Sequence, residues 1–301
     1  MSIWIEGNIL PFKPSVPMSA LSSISTFVAF LLTLRSNSSL ARLIEARNHW
    51  SKVVLNTREM ANMIMVFIYP IDKQLALMLG RHVSLFGWLL RSDLQFVRAD
   101  KDRADKVELV RTMLPNRQDA DYVLSQRQPP VAIITRIRQV LAHLGKTHRL
   151  STAEEIAIEH IVHALSDSVT KTGTLRAAPI PTLYTSHTSR LLVFYLSCLP
   201  TALKLSGLDT ITTTMLTMVI GFAMIGLDEI SHLFEQPFRV IPMYQMSKRS
   251  TLAVADAFTC QPPSLVGEII RDDEVSTLTQ RELTSYWSSD DIIKVTDNLM
   301  E

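Results

Sequence analysis

Residues 14–34 read PSVPMSALSSISTFVAFLLTL, 21 positions without a charged side chain. A helix needs about 20 mostly apolar residues to cross the hydrocarbon core of a bilayer, so this run is long enough to span one. Ser19, Ser22, Ser23 and Thr26 fall on one side of the helix at helical spacing. Hydroxyls in a membrane prefer protein or water to lipid. The run therefore predicts either a helix that packs through small residues or one that lines a pore.

Two further uncharged runs lie near the C-terminal third of the chain. The run LLVFYLSCLPTAL occupies 191–203, and TITTTMLTMVIGFAMIGL occupies 210–227. The second of these is long enough to span, whereas the 13 residues of 191–203 span only if Arg190 and Lys204 extend outward to the membrane surface. The connector KLSGLD between the two runs contains a glycine, which predicts a tight helical hairpin.

The long stretch between the first and second runs carries helical signals and little alternation. Ser151 followed by Glu154 forms a capping-box pattern at a helix start. Gly145 is a candidate helix C-cap, HVSLFGWLL is expected to be a core helix, and MLPNRQDADYVLSQRQPP (113–130) is predicted to be a loop. We predict an all-α fold with about three membrane helices and a large helical extramembrane domain.

The predicted segments follow from these runs. Five basic residues between 35 and 58, against Glu45 and Glu59, place that side in the cytoplasm or an equivalent compartment. The predicted order is an N-terminal segment (1–13), a membrane helix (14–34), a helical domain on the cytoplasmic side (35–189), a membrane hairpin (190–228) and C-terminal helices with a tail on the cytoplasmic side (229–301).

Composition and motifs exclude several classes of function. Charged residues make up 20% of the chain, against about 25% in soluble domains, which favours a membrane protein with a sizeable water-facing part. The net charge of +1 gives no case for nucleic-acid binding. There is no glycine-rich phosphate loop and no Gly-x-Ser-x-Gly elbow. His160 and His163, with Glu159 beside them, are candidate metal ligands, but a solvated or packed helix face is the favoured interpretation. We expect no enzyme, no cofactor and no metal site.

Three blocks carry a family resemblance: RSNSSLARLIEARNHW (35–50), APIPTLYTSHTSRLLVFYLSCLPTAL (178–203) and LDEISHLFEQPF (227–238). Together they resemble the bestrophin family, including its bacterial and plant or algal anion-channel members. The residues that carry the resemblance are Arg35, Arg42, Glu45, Arg47, Asn48, Trp50, Pro181, Tyr184, Pro200, Glu235, Pro237 and Phe238.

The resemblance implies a homopentameric chloride channel in a lipid bilayer, with bicarbonate or nitrate as further candidate ions. The positions of the family's pore neck transfer onto Thr26, Phe30 and Leu34, and Ser36, Asn37 and Ser38 would present polar groups just below the neck. The family usually has Ile or Phe in the neck, so Thr26 implies a wetter or wider outer end. No calcium clasp is expected, because RVIPMYQMSKR after the third block has no carboxylate.

Family members carry a further membrane helix before the neck helix, and 17 residues precede Met18 here. We therefore expect this first helix to be lacking, which leaves a second hypothesis open: a non-conducting membrane scaffold or truncated assembly partner. A membrane-bound metalloenzyme that uses His160 and His163 is a third. The membrane itself is expected to be the plasma membrane or that of an organelle such as a plastid.

Overall fold

A computed structural model of the chain describes residues 18–95, 101–178 and 180–259. All regular structure in these ranges is helical, which confirms the predicted all-α fold. The elements are α1 (Met18–Met63), a π-helical turn (Ile64–Ile68), α2 (Lys73–Leu94), α3 (Lys101–Met113), α4 (Arg117–Ser125), α5 (Pro129–Lys146), α6 (Thr152–Ala177), α7 (Thr182–Leu205), α8 (Thr210–Glu235), α9 (Pro237–Val240) and α10 (Met243–Thr259). The predicted segment 1–13 and most of the predicted tail lie outside the described residues.

The described residues divide into two compact units. The first, which we call the three-helix unit, takes its residues from Met1–Ile44 and Ala178–Pro237 and contains the first part of α1 with α7 and α8. The second, the helical domain, takes its residues from Glu45–Ala177 and Phe238–Glu301. The predicted boundary after Leu34 is not a break in secondary structure, because α1 continues through it as one helix of 46 residues.

The three-helix unit is held together by an apolar core on one face of α1. Leu21, Val28 and Leu32 of α1 pack with residues of α7 that include Leu192 and Leu199. The α1 residues are spaced by seven and four, so they share one face of the helix. The opposite face of α1 is left uncovered within this unit.

The predicted hairpin between the second and third uncharged runs is confirmed. Helix α7 ends at Leu205 and α8 begins at Thr210. Gly207 adopts a φ of 94°, a conformation that glycine takes without steric cost. The Asp209 carboxylate accepts hydrogen bonds of 3.1 Å from the backbone N–H groups of Ile211 and Thr212 and so caps α8.

Two helical stretches among the described residues are long and apolar enough to cross a membrane. They are Ser19–Ile68 and Thr210–Glu235. Helix α7 does not meet this criterion, because Arg190, Lys204 and several hydroxyl residues interrupt its apolar character. A crossing by α7 therefore stays a prediction. Helix α1 is about 69 Å long at 1.5 Å per residue, so only part of it fits in a hydrocarbon core of about 30 Å.

The helical domain is built around α2. Nearly every side chain between His82 and Leu90 is buried, so HVSLFGWLL is a core helix as predicted. Helices α5, α6 and α10 pack around α2. Small hydroxyls mediate the contacts of α10 with its neighbours. The Ser247 hydroxyl donates to the Gly87 carbonyl of α2 at 3.2 Å, and the hydroxyls of Thr57 on α1 and Ser250 lie 2.6 Å apart.

The predicted capping box at the start of α6 is present. The Ser151 N–H donates to the Glu154 carboxylate at 2.8 Å, and the Glu154 N–H donates to the Ser151 hydroxyl at 3.3 Å. The hydrogen bond from the Ser151 backbone is the main reason that the pKa of the Glu154 carboxyl lies below its usual value. This exchange satisfies two backbone donors that the first turn of a helix leaves open.

Two local predictions for this region were wrong. Gly145 is not the C-cap of α5, because the helix continues to Lys146 and His148 takes the left-handed conformation instead. A Cβ atom at position 145 would stand 2.7 Å from a Glu155 carboxylate oxygen, so the glycine accommodates a close approach of side chains from α6. The predicted loop 113–130 contains the helix α4, capped by Asn116 and anchored by buried Ala120 and Val123.

Candidate pore-lining face

The three residues predicted to form the neck lie on the uncovered face of α1. Thr26 is exposed, Phe30 is 58% exposed and Leu34 is 42% exposed within the chain. At about 100° per residue, each of them points more than about 120° away from the packed face that contains Val28 and Leu32. We define the neck face as Thr26, Phe30 and Leu34. It is available to line a pore, to contact another copy or to contact lipid.

The hydroxyls of this part of α1 make hydrogen bonds to the helix's own backbone. Thr26 donates to the Ser22 carbonyl at 3.1 Å, and Thr33 donates to the Ala29 carbonyl at 2.8 Å. Ser22 and Ser23 donate to the Ser19 carbonyl at 2.8 and 3.2 Å. Such bonds satisfy the hydroxyl donors without a second helix, so they reduce the cost of placing these residues away from water.

A buried ionic cluster begins immediately after the neck face, at Arg35. Its Nε donates to Glu235 at 2.9 Å, a terminal nitrogen donates to the Ser189 hydroxyl at 3.0 Å, and the same nitrogen pairs with Asp228. The Arg35 residue is 2% exposed. We call these four residues the Arg35 cluster. A buried guanidinium requires such charged and hydrogen-bonding partners, because its desolvation is otherwise very costly.

The three polar residues predicted below the neck are placed differently from one another. Ser36 is half-buried, and its hydroxyl lies 2.6 Å from that of Ser231 on α8. Asn37 and Ser38 are exposed, and Ser38 donates to the Leu34 carbonyl at 2.8 Å. Of the three, Asn37 lies on the side of α1 opposite to the packed face, in line with Thr26 and Phe30.

The remaining five motif residues of α1 differ in their surroundings, and three of them are exposed. Arg42 donates to the Ala178 carbonyl at 2.6 Å, within the three-helix unit. In the helical domain, Trp50 is fully buried. Glu45 lies 3.6 Å from the His49 ring, whereas the side chains of Arg47 and Asn48 are exposed.

The other two motif blocks mark helix boundaries and place one proline inside a helix. Pro181 precedes the first residue of α7, and Pro200 lies inside that helix, where it removes one backbone hydrogen bond. The Tyr184 hydroxyl points at the Leu31 carbonyl across 3.5 Å. Glu235 is the last residue of α8, Pro237 begins α9, and Phe238 is buried in the helical domain.

The candidate metal ligands do not come together with further ligands. His160 and His163 are both exposed on α6, and Glu159 is engaged by the Arg138 guanidinium at 2.7 Å. In residues 18–95, 101–178 and 180–259, no group of three His, Cys, Asp or Glu side chains is arranged to hold a metal ion. This part of α6 has the character of a solvated helix face.

The sequence analysis missed Asp228, Ser189 and Ser231 as members of the site. One signal for Asp228 was present, because Arg35 ends the first uncharged run and Asp228 ends the third with the opposite charge. If the two helices end on the same side of a helical bundle, the two opposite charges at their ends come close together. No comparable signal distinguishes Ser189 or Ser231 from the other serines of the chain.

Comparisons with known proteins agree with this architecture. The model of the family described as "Bacterial/Fungal Bestrophin protein" matches residues 1–256. The chain is 22% identical over 240 residues to the "voltage-dependent anion channel-forming protein alr2987" of Nostoc sp., a match that covers 77% of this chain and 75% of that protein. It is 22% identical to the "voltage-dependent chloride channel 1, chloroplastic" of Arabidopsis thaliana, with 80% of this chain and 54% of that protein covered.

Solved structures share the fold. The crystal structure of a bacterial bestrophin homologue from Klebsiella pneumoniae superposes with a TM-score of 0.73 at 21% sequence identity, covering 82% of this chain and 89% of that one. A second crystal structure, of a membrane protein, gives a TM-score of 0.74 at 21% identity, with 83% and 90% covered. Since the family model matches most of the sequence, the chain belongs to the bacterial and fungal bestrophin family.

Proposed function

We propose that this chain is an anion channel subunit, that copies of it surround a shared pore, and that the neck face of α1 forms the narrowest part of that pore. The observation that carries the proposal is the uncovered face of α1. Phe30 is 58% exposed while Val28 and Leu32, on the other side of the same helix, are buried. The chain's own core covers only one side of α1, so the second side is left to another copy of the chain, to a pore or to lipid.

The chemistry of the uncovered face favours anions over cations. From Ser19 to Asn37 its exposed side chains are hydroxyls, small and apolar groups, phenyl rings and one amide. The one charged residue in that stretch, Arg35, is buried. Phenyl edges carry partial positive charge, and an apolar constriction can gate by excluding water. A passing anion would therefore meet weak favourable dipoles and no fixed site strong enough to trap it.

The family supports the same function. The Nostoc and Arabidopsis relatives are named as voltage-dependent anion or chloride channels. For this chain we propose chloride as the permeant ion, with bicarbonate or nitrate as further candidates, in a multi-pass subunit of a homopentamer. The protein would then act as a passive conductor rather than as an enzyme.

Recording from purified full-length protein in planar bilayers tests this function. Under a chloride gradient, the current should reverse near the chloride equilibrium potential, and replacement of chloride by a large organic anion should abolish it. Chemical cross-linking of the same preparation should give a ladder that ends at five subunits. A stable oligomer without anion current would overturn the channel and support the non-conducting scaffold instead.

A further inference from the structure

We propose that Asp228, Glu235 and Ser189 are positioning residues, which fix the rotation of α1 about its own axis and thereby decide which side chains form the neck face. The proposal deepens the channel function and rests on it for its consequence in conduction. The claim about the rotation of α1 concerns the three-helix unit alone, and it can be tested without measuring an ion current.

The geometry of the Arg35 cluster is directional. The guanidinium is planar with a fixed fork of donors, and here the fork reaches Ser189 on α7 and both Asp228 and Glu235 on α8. Ser189 also donates to the Asp228 carboxylate at 3.1 Å, so the two partners from different helices are bonded to each other. A second polar contact, between Ser36 and Ser231, joins the same helices one residue later.

Apolar packing alone does not determine this rotation in a membrane. Lipid chains are as apolar as leucine, so burying Leu32 against α7 instead of against lipid gains little from the hydrophobic effect. Phe27 and Phe30, both more than half exposed, are as apolar as the residues on the packed face. Misplacing Arg35, in contrast, would leave a charge in an apolar environment without its partners. The polar cluster is therefore the main determinant of the direction in which α1 faces.

The consequence for the neck follows from helix geometry. Leu34 immediately precedes Arg35, and Phe30 and Thr26 lie one and two turns further along the same side. If the residue next to Arg35 took its place in the cluster, α1 would be rotated about its axis by about 100°. Such a turn would move Phe30 off the pore axis and bring in a different set of side chains.

The cluster also keeps its charges away from the permeation path. The cluster contains two carboxylates and one guanidinium. The side chain of Asp228 is 21% exposed and that of Glu235 is 13% exposed. Arg35 lies on the same side of α1 as Leu32, opposite to the neck face. An anion in the pore is therefore separated from the carboxylates by the width of the helix, and the guanidinium is not free to bind it.

Thiol labelling tests the rotation directly. In a background with Cys198→Ser and Cys260→Ser, single cysteines are placed at Leu32 on the packed face and at Thr26 on the neck face. A water-soluble maleimide is applied to full-length protein in liposomes, with and without Asp228→Asn and Glu235→Gln. We expect labelling at Leu32 to accelerate about tenfold, which corresponds to about 1.4 kcal/mol of free energy, and labelling at Thr26 to slow.

The controls separate rotation from general loosening. Asp209→Asn changes a carboxylate at the other end of α8 and keeps a good helix cap, so it should leave both labelling rates unchanged. A faster rate at both Leu32 and Thr26 would indicate loosening and would overturn the positioning role, as would unchanged rates at both sites. Should the double variant fail to fold, Ser189→Ala and Arg35→Lys are the milder substitutions, with the same reciprocal change expected.

Conduction gives a second, separate measurement. In a conducting protein, loss of the cluster should change the permeability ratio of nitrate to chloride, whereas Asp209→Asn should not. An unlabelled Thr26 in the parent protein, or a parent without anion current, contradicts the proposed channel function. In that case, the change in labelling rate at position 32 still decides whether the Arg35 cluster sets the rotation of α1.

Discussion

The indole N–H of Trp88 donates a hydrogen bond of 2.9 Å to the hydroxyl of Thr251, joining α2 to α10 inside the helical domain. Both residues are buried. The Thr251 hydroxyl donates in turn to the Ser84 carbonyl at 3.3 Å. Trp88 also meets Tyr244 of α10 edge to face, with ring centroids 5.4 Å apart. A large aromatic residue with one polar atom thus fixes the position of α10 along α2, because only one alignment satisfies its N–H.

Substitution of this hydroxyl should destabilise the helical domain. Thr251→Val keeps the side-chain shape but leaves the Trp88 N–H buried without an acceptor, at a cost of about 1–3 kcal/mol. The measurement is thermal unfolding in detergent followed by tryptophan fluorescence. The double variant Trp88→Phe with Thr251→Val should lose less stability than the sum of the two single variants, since neither partner is then left unsatisfied. A Thr251→Val protein as stable as the parent would contradict the importance of this bond.

The stability of the helical domain should fall in mild acid because of His82. This residue is fully buried in α2, and its Nδ1 lies 2.8 Å from the Met78 carbonyl. Burial lowers the pKa of His82 below its ordinary 6.5, despite opposing effects of the Met78 hydrogen bond and the nearby Asp119 carboxylate. Below pH 6.5 the unfolded chain binds a proton that the folded domain does not. Stability is therefore complete above that pH and declines as the pH falls toward the lower pKa of the folded state.

The experiment compares unfolding temperatures between about pH 7.5 and pH 5.5 for the parent and for His82→Asn. Asparagine retains a donor in place of Nδ1 and does not titrate, so its unfolding temperature should depend less on pH. His160→Asn, at an exposed site on α6, is the control and should follow the parent. Equal slopes for the parent and His82→Asn would exclude His82 as the source of acid sensitivity.

The features that the sequence predicted correctly are those encoded by neighbouring residues. The helix formed by the first uncharged run, the capping box of Ser151 and Glu154 and the Gly-containing turn between α7 and α8 all depend on residues within a few positions of one another. The Arg35 cluster does not, because Ser189 and Asp228 lie 154 and 193 residues away from Arg35. Gly145 was misinterpreted for a related reason. A helix end and a close contact with Glu155 both favour glycine, and only the tertiary structure distinguishes the two.

The same limit applies to the helix within the predicted loop. Helix α4 is mostly polar, and its sequence has no long apolar stripe. What stabilises it is burial of Ala120 and Val123 together with the 2.9 Å ion pair between Asp119 and Arg136 of α5. Short polar helices depend on tertiary packing more than on intrinsic propensity, so the local pattern of this segment favoured a loop.

Thr26 should make the outer end of the neck more permeable than an aliphatic residue would. Thr26→Ile replaces a hydroxyl that is bonded to the Ser22 carbonyl with an apolar group, and apolar constrictions disfavour water. We expect a smaller single-channel conductance without a change in the sign of selectivity. Thr214→Ile is the matched control, because Thr214 is an exposed residue on α8 with the same bond to its own helix. Equal conductance in Thr26→Ile and the parent would argue that Thr26 does not face the pore.

Phe30 is the bulkiest side chain of the neck face, so its removal should have the largest effect on permeation. Phe30→Ala widens the constriction and weakens the exclusion of water. We therefore expect longer openings or a reduced preference for small anions in bilayer recordings. Phe222→Ala is the control, because Phe222 is 85% exposed on α8 and this substitution removes the same phenyl group from a helix that does not carry the neck face. If Phe30→Ala and Phe222→Ala both leave the current unchanged, Phe30 faces lipid or a neighbouring helix rather than the permeation path. An effect of Phe222→Ala alone would move the pore to α8.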